Sequence, residues 1–220
     1  MEFNPFNRNT MKKILLTFAF AAAVMTAGAQ VKELEPSHIS EWIDPATIVH
    51  EECDGCPEDG EGDTEQDCFP VTNIKATSRL ASQGSNNYDE KNLYDYNNFT
   101  PWVEGVKGYG IGEKISFTLE DVYAGFTGIS IVNGYSKSKA AWKNNSRVKK
   151  LKVSYDGTPK YILNLKDQMG GQYFDFGVAL NEDGDNLEGT FTVTLEILDV
   201  YKGDKWDDTA ISEVTFGGCH

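Results

Sequence analysis

The chain has 220 residues, 34 acidic against 20 basic side chains for a formal net charge of -14, and a composition that is 40% hydrophobic. Such a chain can bury a core, which excludes disorder as its bulk state. Its acidity excludes a basic face spread over the surface, so neither nucleic acid nor an anionic membrane is an expected partner.

In chain order the first element is a leader. Lys12 and Lys13 precede the apolar run "ILLTFAFAAAVMTAGA", and small residues then lead to Gln30. This is the order of a secretory signal peptide cleaved after Ala29, with Met11 as a possible true start, so the protein is expected to be exported: secreted, periplasmic or on the cell surface. Past the leader no run is long and apolar enough to suggest insertion in a membrane.

Residues 30–67 read as a tether. "ECDGCPEDGEGDTEQDC" is acidic and Gly-rich with nothing apolar to bury, a composition that stays mobile. Cys53, Cys56, Cys68 and Cys219 meet an oxidising compartment in an exported chain, so disulfides are expected. Cys68 and Cys219 bracket the part that looks folded. If its ends lie side by side, these two pair and leave Cys53 with Cys56. Zinc held by Cys53 and Cys56 with His50 or His220 is the alternative.

From Phe69 the texture alternates. "KISFTLE" puts Ile115, Phe117 and Leu119 on one face, "YILNLKD" does so with Tyr161, Leu163 and Leu165, and "FTVTLEI" with Phe191, Val193, Leu195 and Ile197. "TGISIVNG", "VKKLKVSYD", "QYFDFGVAL" and "ISEVTFG" add further strands, with Asp156-Gly157 and "NEDGDNLEG" as turns. No segment after Gln30 sustains a helical period. Residues 68–220 are therefore expected to form an all-β jelly-roll sandwich with function in its loops.

Residues 69–218 contain no His and no Cys, which removes Ser-His-Asp and Cys-His catalysis and the usual zinc sites from this domain. What remains for an enzyme is a carboxylate pair, such as Glu104 with Asp207 or Asp208. "GYGIGE" is followed by a strand rather than a helix, so it reads as a turn-rich loop and not as a nucleotide cradle. In "NLYDYNNFTPWVEG", Asp95, Asn97 and Thr100 set oxygen donors at short offsets in a tight loop. That suits a hard cation such as Ca2+, and it equally suits an Asx-turn loop held by its own side chains.

The "D-x-N-x-x-T-x-W" pattern of this loop resembles the calcium loop of galactose-binding-like sandwiches of the coagulation-factor type C kind. The succession "TPWVEGVKGYGIGE", "ISIVNGYSKS", "NNSRVKKLKV" and "VYKGDKWDDTAISEVTF" resembles, more narrowly, the NADase-type glycan-binding domain, the translocation domain attached to an NAD glycohydrolase toxin. The resemblance covers residues 69–218. It implies a jelly-roll domain that binds glycans without NADase activity of its own, a buried Trp102, and Glu213 completing a structural Ca2+ site with Asp95, Asn97 and Thr100.

It also gives a reading of "NGYSKSKAAWKNNSRVKK", which holds six Lys or Arg and no acid in an acidic chain. A sugar is gripped by aromatic faces and by amide, carboxylate and guanidinium groups, and Tyr135, Trp142, Asn133, Asn145, Arg147 and Glu104 supply that set. The local positive charge would suit an acidic sugar. The structural alternative has Tyr135 and Trp142 covering the core edge, the lysines solvated, and Arg147 paired with Glu104 or Asp167. The expected function is non-catalytic glycan binding; a protein-binding adhesion module of the same fold is the rival reading.

Overall fold

A computed structural model of the chain describes residues 31–44, 69–123, 125–179 and 186–218. The predicted leader, the four cysteines with their proposed pairings, His50 and His220 lie outside the described residues, as does most of the predicted tether.

Two sheets face each other, as the alternation requires. One runs in the order β3 (Val71–Ala76), β5 (Lys114–Val122), β10 (Gly189–Tyr201), β7 (Ser146–Tyr155), β8 (Thr158–Asn164) and β1 (Lys32–Leu34). The other runs β2 (His38–Ile39), β9 (Gly171–Asp175), β6 (Gly128–Asn133) and β11 (Thr209–Gly217), with β4 (Trp102–Val103) paired on β11. They join through a two-residue parallel contact, where Thr209 and Ala210 of β11 meet Ser146 and Arg147 of β7.

The inward residues are those the period-2 pattern selects. Ile115, Phe117 and Leu119 of β5 and Phe191, Val193, Leu195 and Ile197 of β10 are buried, opposite Ile129 and Ile131 of β6 and Val214 and Phe216 of β11. Phe117 meets Phe216 edge-on at 5.1 Å across the two sheets, and Phe126 packs against Tyr155, Phe176, Phe191 and Phe216. Trp102 is fully buried with its indole N–H donated to the Ser78 carbonyl at 3.0 Å, matching the buried position that the resemblance implied. Asp156-Gly157 is the β7–β8 hairpin turn, both residues at positive φ (45° and 86°), as a two-residue turn between right-twisted strands demands. The result is an all-β sandwich.

Three local elements depart from the sequence reading. A 3-10 turn spans Glu90–Tyr94, and a helix, α1, spans Lys139–Asn144 within the positive stretch, its first turn capped by Ser138, whose hydroxyl accepts from the Ala141 N–H. The predicted tether does not begin as a mobile segment: residues 31–44 lie against the sandwich. β1 adds in parallel to the edge strand β8, and β2 adds antiparallel to the edge strand β9, so one short strap covers the outer edges of both sheets. Acidity misled here because the acids have partners. Glu33 meets Lys150 at 3.5 Å and Asn164 at 3.1 Å, Glu35 meets Lys166 at 2.5 Å, and the strap's backbone satisfies edge groups that would otherwise face water. Trp42 fastens its end by donating its indole N–H to the Ser136 carbonyl at 3.0 Å. Among the described residues no helix is long and apolar enough to cross a membrane.

Candidate binding sites at the loop end

The positive stretch connects β6 in one sheet to β7 in the other, and most of its polar groups hold that crossing together. Asn133 has no exposed surface. Its amide donates to the Val148 carbonyl at 2.7 Å and accepts from the Val148 N–H at 2.9 Å, clipping the two sheets. Trp142 is buried and donates its indole N–H to the Asn133 carbonyl at 2.9 Å. Arg147 lies 4.3 Å over the Trp142 ring, forks onto Asp167 at 2.8 and 3.1 Å, and donates to the Trp142 and Asn145 carbonyls at 3.2 and 2.9 Å. Gly134, at φ +82°, leaves no room for a Cβ between Trp142 and Arg147. Of the two acids offered as partners for Arg147, the structure selects Asp167.

Glu104 is fully buried, its two oxygens accepting from the N–H groups of Thr209 (3.2 Å) and Val106 (2.8 Å). Burial raises its carboxyl pKa, these two bonds pull it back, and the nearby acids Asp208 and Glu113 add to the rise. Of the six residues expected to contact a sugar, Glu104, Asn133, Trp142 and Arg147 are thus spent on the protein itself. A buried Glu104 also cannot share an open cleft with Asp208, which removes the geometry of the suggested catalytic pair.

Tyr135 and Asn145 are different. They line a pocket of about 220 Å³ together with Gln83, Tyr88, Trp206 and Asp208. Tyr88 and Tyr135 meet edge to face at 6.3 Å, and Trp206 keeps 47% of its surface exposed. The Trp206 loop is held firmly. The N–H groups of Asp204, Lys205 and Trp206 donate to the carbonyls of Lys143 (2.9 Å), Asn144 (3.1 Å) and Asn144 (2.8 Å), and the Ser146 hydroxyl donates to the Trp206 carbonyl at 3.1 Å. Gly203 allows this approach, since a Cβ there would sit 2.5 Å from the Asn144 oxygen. Asp208 has its carboxyl pKa raised by burial and by the adjacent Asp207. Trp206 lies in the motif "VYKGDKWDDTAISEVTF" but was not among the expected sugar contacts; its signal in the sequence is a Trp set among Lys and Asp, outside any alternating run.

Tyr135 is shared with a second pocket of about 290 Å³, whose walls include Asn86, Asn87, Asn92, Thr100 and Lys137.

The donors predicted for a cation converge. Asp95 caps the end of the 3-10 turn and accepts from the Asn97 N–H at 2.9 Å and the Thr100 hydroxyl at 2.8 Å, while Asn97 accepts from the Phe99 N–H at 3.1 Å. These are Asx turns, so the loop is indeed held by its own side chains. Glu213, from β11, is what the turns leave unexplained. It is 4% exposed, one carboxylate oxygen accepts from the Asn97 N–H at 3.1 Å, and the other has no hydrogen-bond partner. Burial, and the Asp95 carboxylate beside it, push its carboxyl pKa up to about 8. An orphaned buried carboxylate oxygen next to a second carboxylate and a hydroxyl is a donor set that fits a hard cation.

Comparison with known proteins gives the wider setting. Among solved structures, the arabinofuranosyltransferase AftD from Mycobacteria is similar at 18% identity and a TM-score of 0.47, covering 69% of this chain and 11% of that one. The CBM32-1 and CBM32-2 domains of ZmpB from Clostridium perfringens are similar at 11% identity and a TM-score of 0.46, over 66% of this chain and 34% of theirs. The chain therefore spans only a minor part of these proteins' lengths. No curated protein matches its sequence. The model of one family matches residues 66–217, which takes in every strand from β3 to β11. The chain belongs to the NAD glycohydrolase translocation F5/8 type C domain family.

Proposed function

We propose that this protein is an exported, non-catalytic glycan-binding module whose sugar sits in the pocket between Tyr135 and Trp206. The observation that carries the reading is Trp206: a large aromatic, almost half exposed, on a loop fixed by backbone hydrogen bonds beside two tyrosines, two amides and a carboxylate. An indole in that position stacks on the C–H face of a sugar ring, while Asn145, Gln83 and Asp208 meet its hydroxyls. A rigid platform loses little entropy when a ligand arrives, which favours binding at a shallow surface.

Export rests on the leader over residues 1–29. Asp95, Glu213, Thr100 and Asn97 hold Ca2+ as a structural ion that ties the 95–100 loop to β11. Bound there, the ion would supply positive charge to two neighbouring acids and occupy the free oxygen of Glu213.

A glycan-array screen with calcium present, run on the protein and on Trp206→Ala, tests the sugar reading. Selective binding that Trp206→Ala abolishes is the expected result. An array blank for the folded protein, with partner capture that competing sugars do not disturb, would overturn it in favour of a protein ligand.

A further inference from the structure

Arg79 and Lys137 line hollows at this end of the sandwich, and they differ in how their charge is used. Arg79 is paired with Asp89 and lies 3.3 Å from Glu90. Lys137 lines the pocket that shares Tyr135 with the Trp206 pocket, and its ammonium meets a neutral group, the Asn86 side-chain oxygen, at 3.3 Å. The later cations of the same stretch are matched with acids: Arg147 with Asp167, Lys149 with Asp199 and Lys150 with Glu33. Lys139 and Lys143 of α1 also have no acid partner among the described residues, but neither lines that pocket; Lys137 is the cation that does, with only an amide for company.

We propose that the Lys137 pocket is a subsite for an acidic sugar, so that the module takes glycans in which a carboxylated residue adjoins an uncharged one. The inference rests on the glycan reading of the Trp206 pocket and adds the class and direction of the ligand. The two pockets share Tyr135 as a wall and have opposite polarity. On the Trp206 side the ionisable lining group other than the tyrosines is the Asp208 carboxylate; on the Lys137 side it is an ammonium, with the amides of Asn86 and Asn87 beside it, while the buried Asn92 amide is spent on Asn87 and Pro101. A sugar carboxylate would be repelled by Asp208 and received by Lys137 with amide N–H groups beside it. Asn86 turns its oxygen to Lys137, which leaves its NH2 free to donate elsewhere.

The root of Lys137 is fixed. Ser136 before it is buried, donates its N–H to the Ser212 hydroxyl at 3.1 Å, and accepts the Trp42 indole N–H at its carbonyl; Ser138 after it caps α1. The ammonium is thus offered from a set position while its own end stays exposed.

The test is calorimetric titration of the full protein, with calcium, against matched pairs: sialyllactose against lactose, and hyaluronan oligosaccharides against chitin oligosaccharides of equal length. The acidic member of at least one pair should bind about tenfold more tightly at low salt, the advantage shrinking as salt rises. Lys137→Gln should bring the acidic member down to the level of its neutral partner, with a melting temperature like that of the parent because the side chain is exposed. Trp206→Ala should weaken both members. Equal binding of both members by the parent, or a preference that survives Lys137→Gln, overturns the inference and leaves the glycan reading standing. Failure of every member to bind, with Trp206→Ala no different, overturns both.

Discussion

Arg147 separates a staple from a ligand contact, and Arg147→Ala is the perturbation that decides between them. The side chain is 7% exposed, whereas its partner Asp167 is 42% exposed. Truncation strands the carbonyls of Trp142 and Asn145, which Arg147 alone is seen to serve from this side, and opens a gap under the Trp142 ring. Two buried acceptors losing a charged donor, together with the lost stacking, amount to roughly 3 kcal/mol; the half-exposed ion pair adds less than about 1 kcal/mol, because Asp167 rehydrates. At about 2–4 °C per kcal/mol for a domain of this size, the melting temperature should fall by roughly 6–12 °C. Asp167→Asn should cost only a few degrees, and Arg147→Lys should behave closer to Ala than to the parent, since an ammonium cannot reproduce the fork. Differential scanning calorimetry on the three variants gives the comparison. If Arg147→Ala melts within about 2 °C of the parent and yet loses glycan binding, the staple argument is wrong and Arg147 belongs to the ligand.

In chelator, the carboxyl of Glu213 has a folded-state pKa raised to about 8, so its contribution is full below the ordinary carboxylate pKa of the unfolded chain and is lost as pH rises through about 8. The metal-free melting temperature should therefore fall from about pH 5 to about pH 9, Glu213→Gln should remove that slope, and a flat parent profile would refute it. Saturating calcium should raise the parent's melting temperature near neutral pH and leave Glu213→Gln little changed, as thermal melts with and without chelator would report. Gly203→Ala forces a methyl against the Asn144 and Trp206 carbonyls, so it should displace the Trp206 loop and weaken glycan binding; calorimetry showing parental affinity would refute the rigid-platform argument. Deleting residues 31–44 uncovers the edges of β8 and β9, and the shortened protein should associate with rising concentration in sedimentation runs, whereas a strictly monomeric product would show that the strap protects nothing.

How much of this was legible in the sequence depended on whether a residue's partner lay in its own pattern. The strands were legible because burial on one face writes itself as alternation: Phe117 and Leu119, or Val193 and Leu195, announce their side without reference to anything else. The Asp95 loop was legible because its donors are close in the chain, although Glu213, more than a hundred residues away, required the family resemblance. The strap was not legible. "KEL" and "HI" have no period to read, and they become strands only because β8 and β9 present unpaired edges that no local feature of residues 31–44 encodes. Trp142 and Arg147 were ambiguous for a related reason, since an aromatic, an amide and a guanidinium look the same whether they grip a sugar or one another.

That ambiguity has a physical resolution in the register of β7. Arg147, Lys149 and Lys150 leave one strand and reach acids on three other segments: Asp167 just beyond β8, Asp199 on β10, and Glu33 on β1. β7 lies between β10 and β8, so a positive strand at that position faces acid on both sides, and exchanging any of these cations for an acid would set like charges against each other. An acidic protein can gather positive charge along β7 because the sheet order surrounds that strand with counter-charge. The same arrangement makes the β6–β7 crossing stiff, and it is from that crossing that Tyr135, Lys137 and Asn145 are presented and against it that the Trp206 loop is hydrogen-bonded. Cations matched along β7 and a pocket-lining Lys137 that meets only an amide are then parts of a single arrangement, in which the first set fixes the frame and the last is free to meet a ligand.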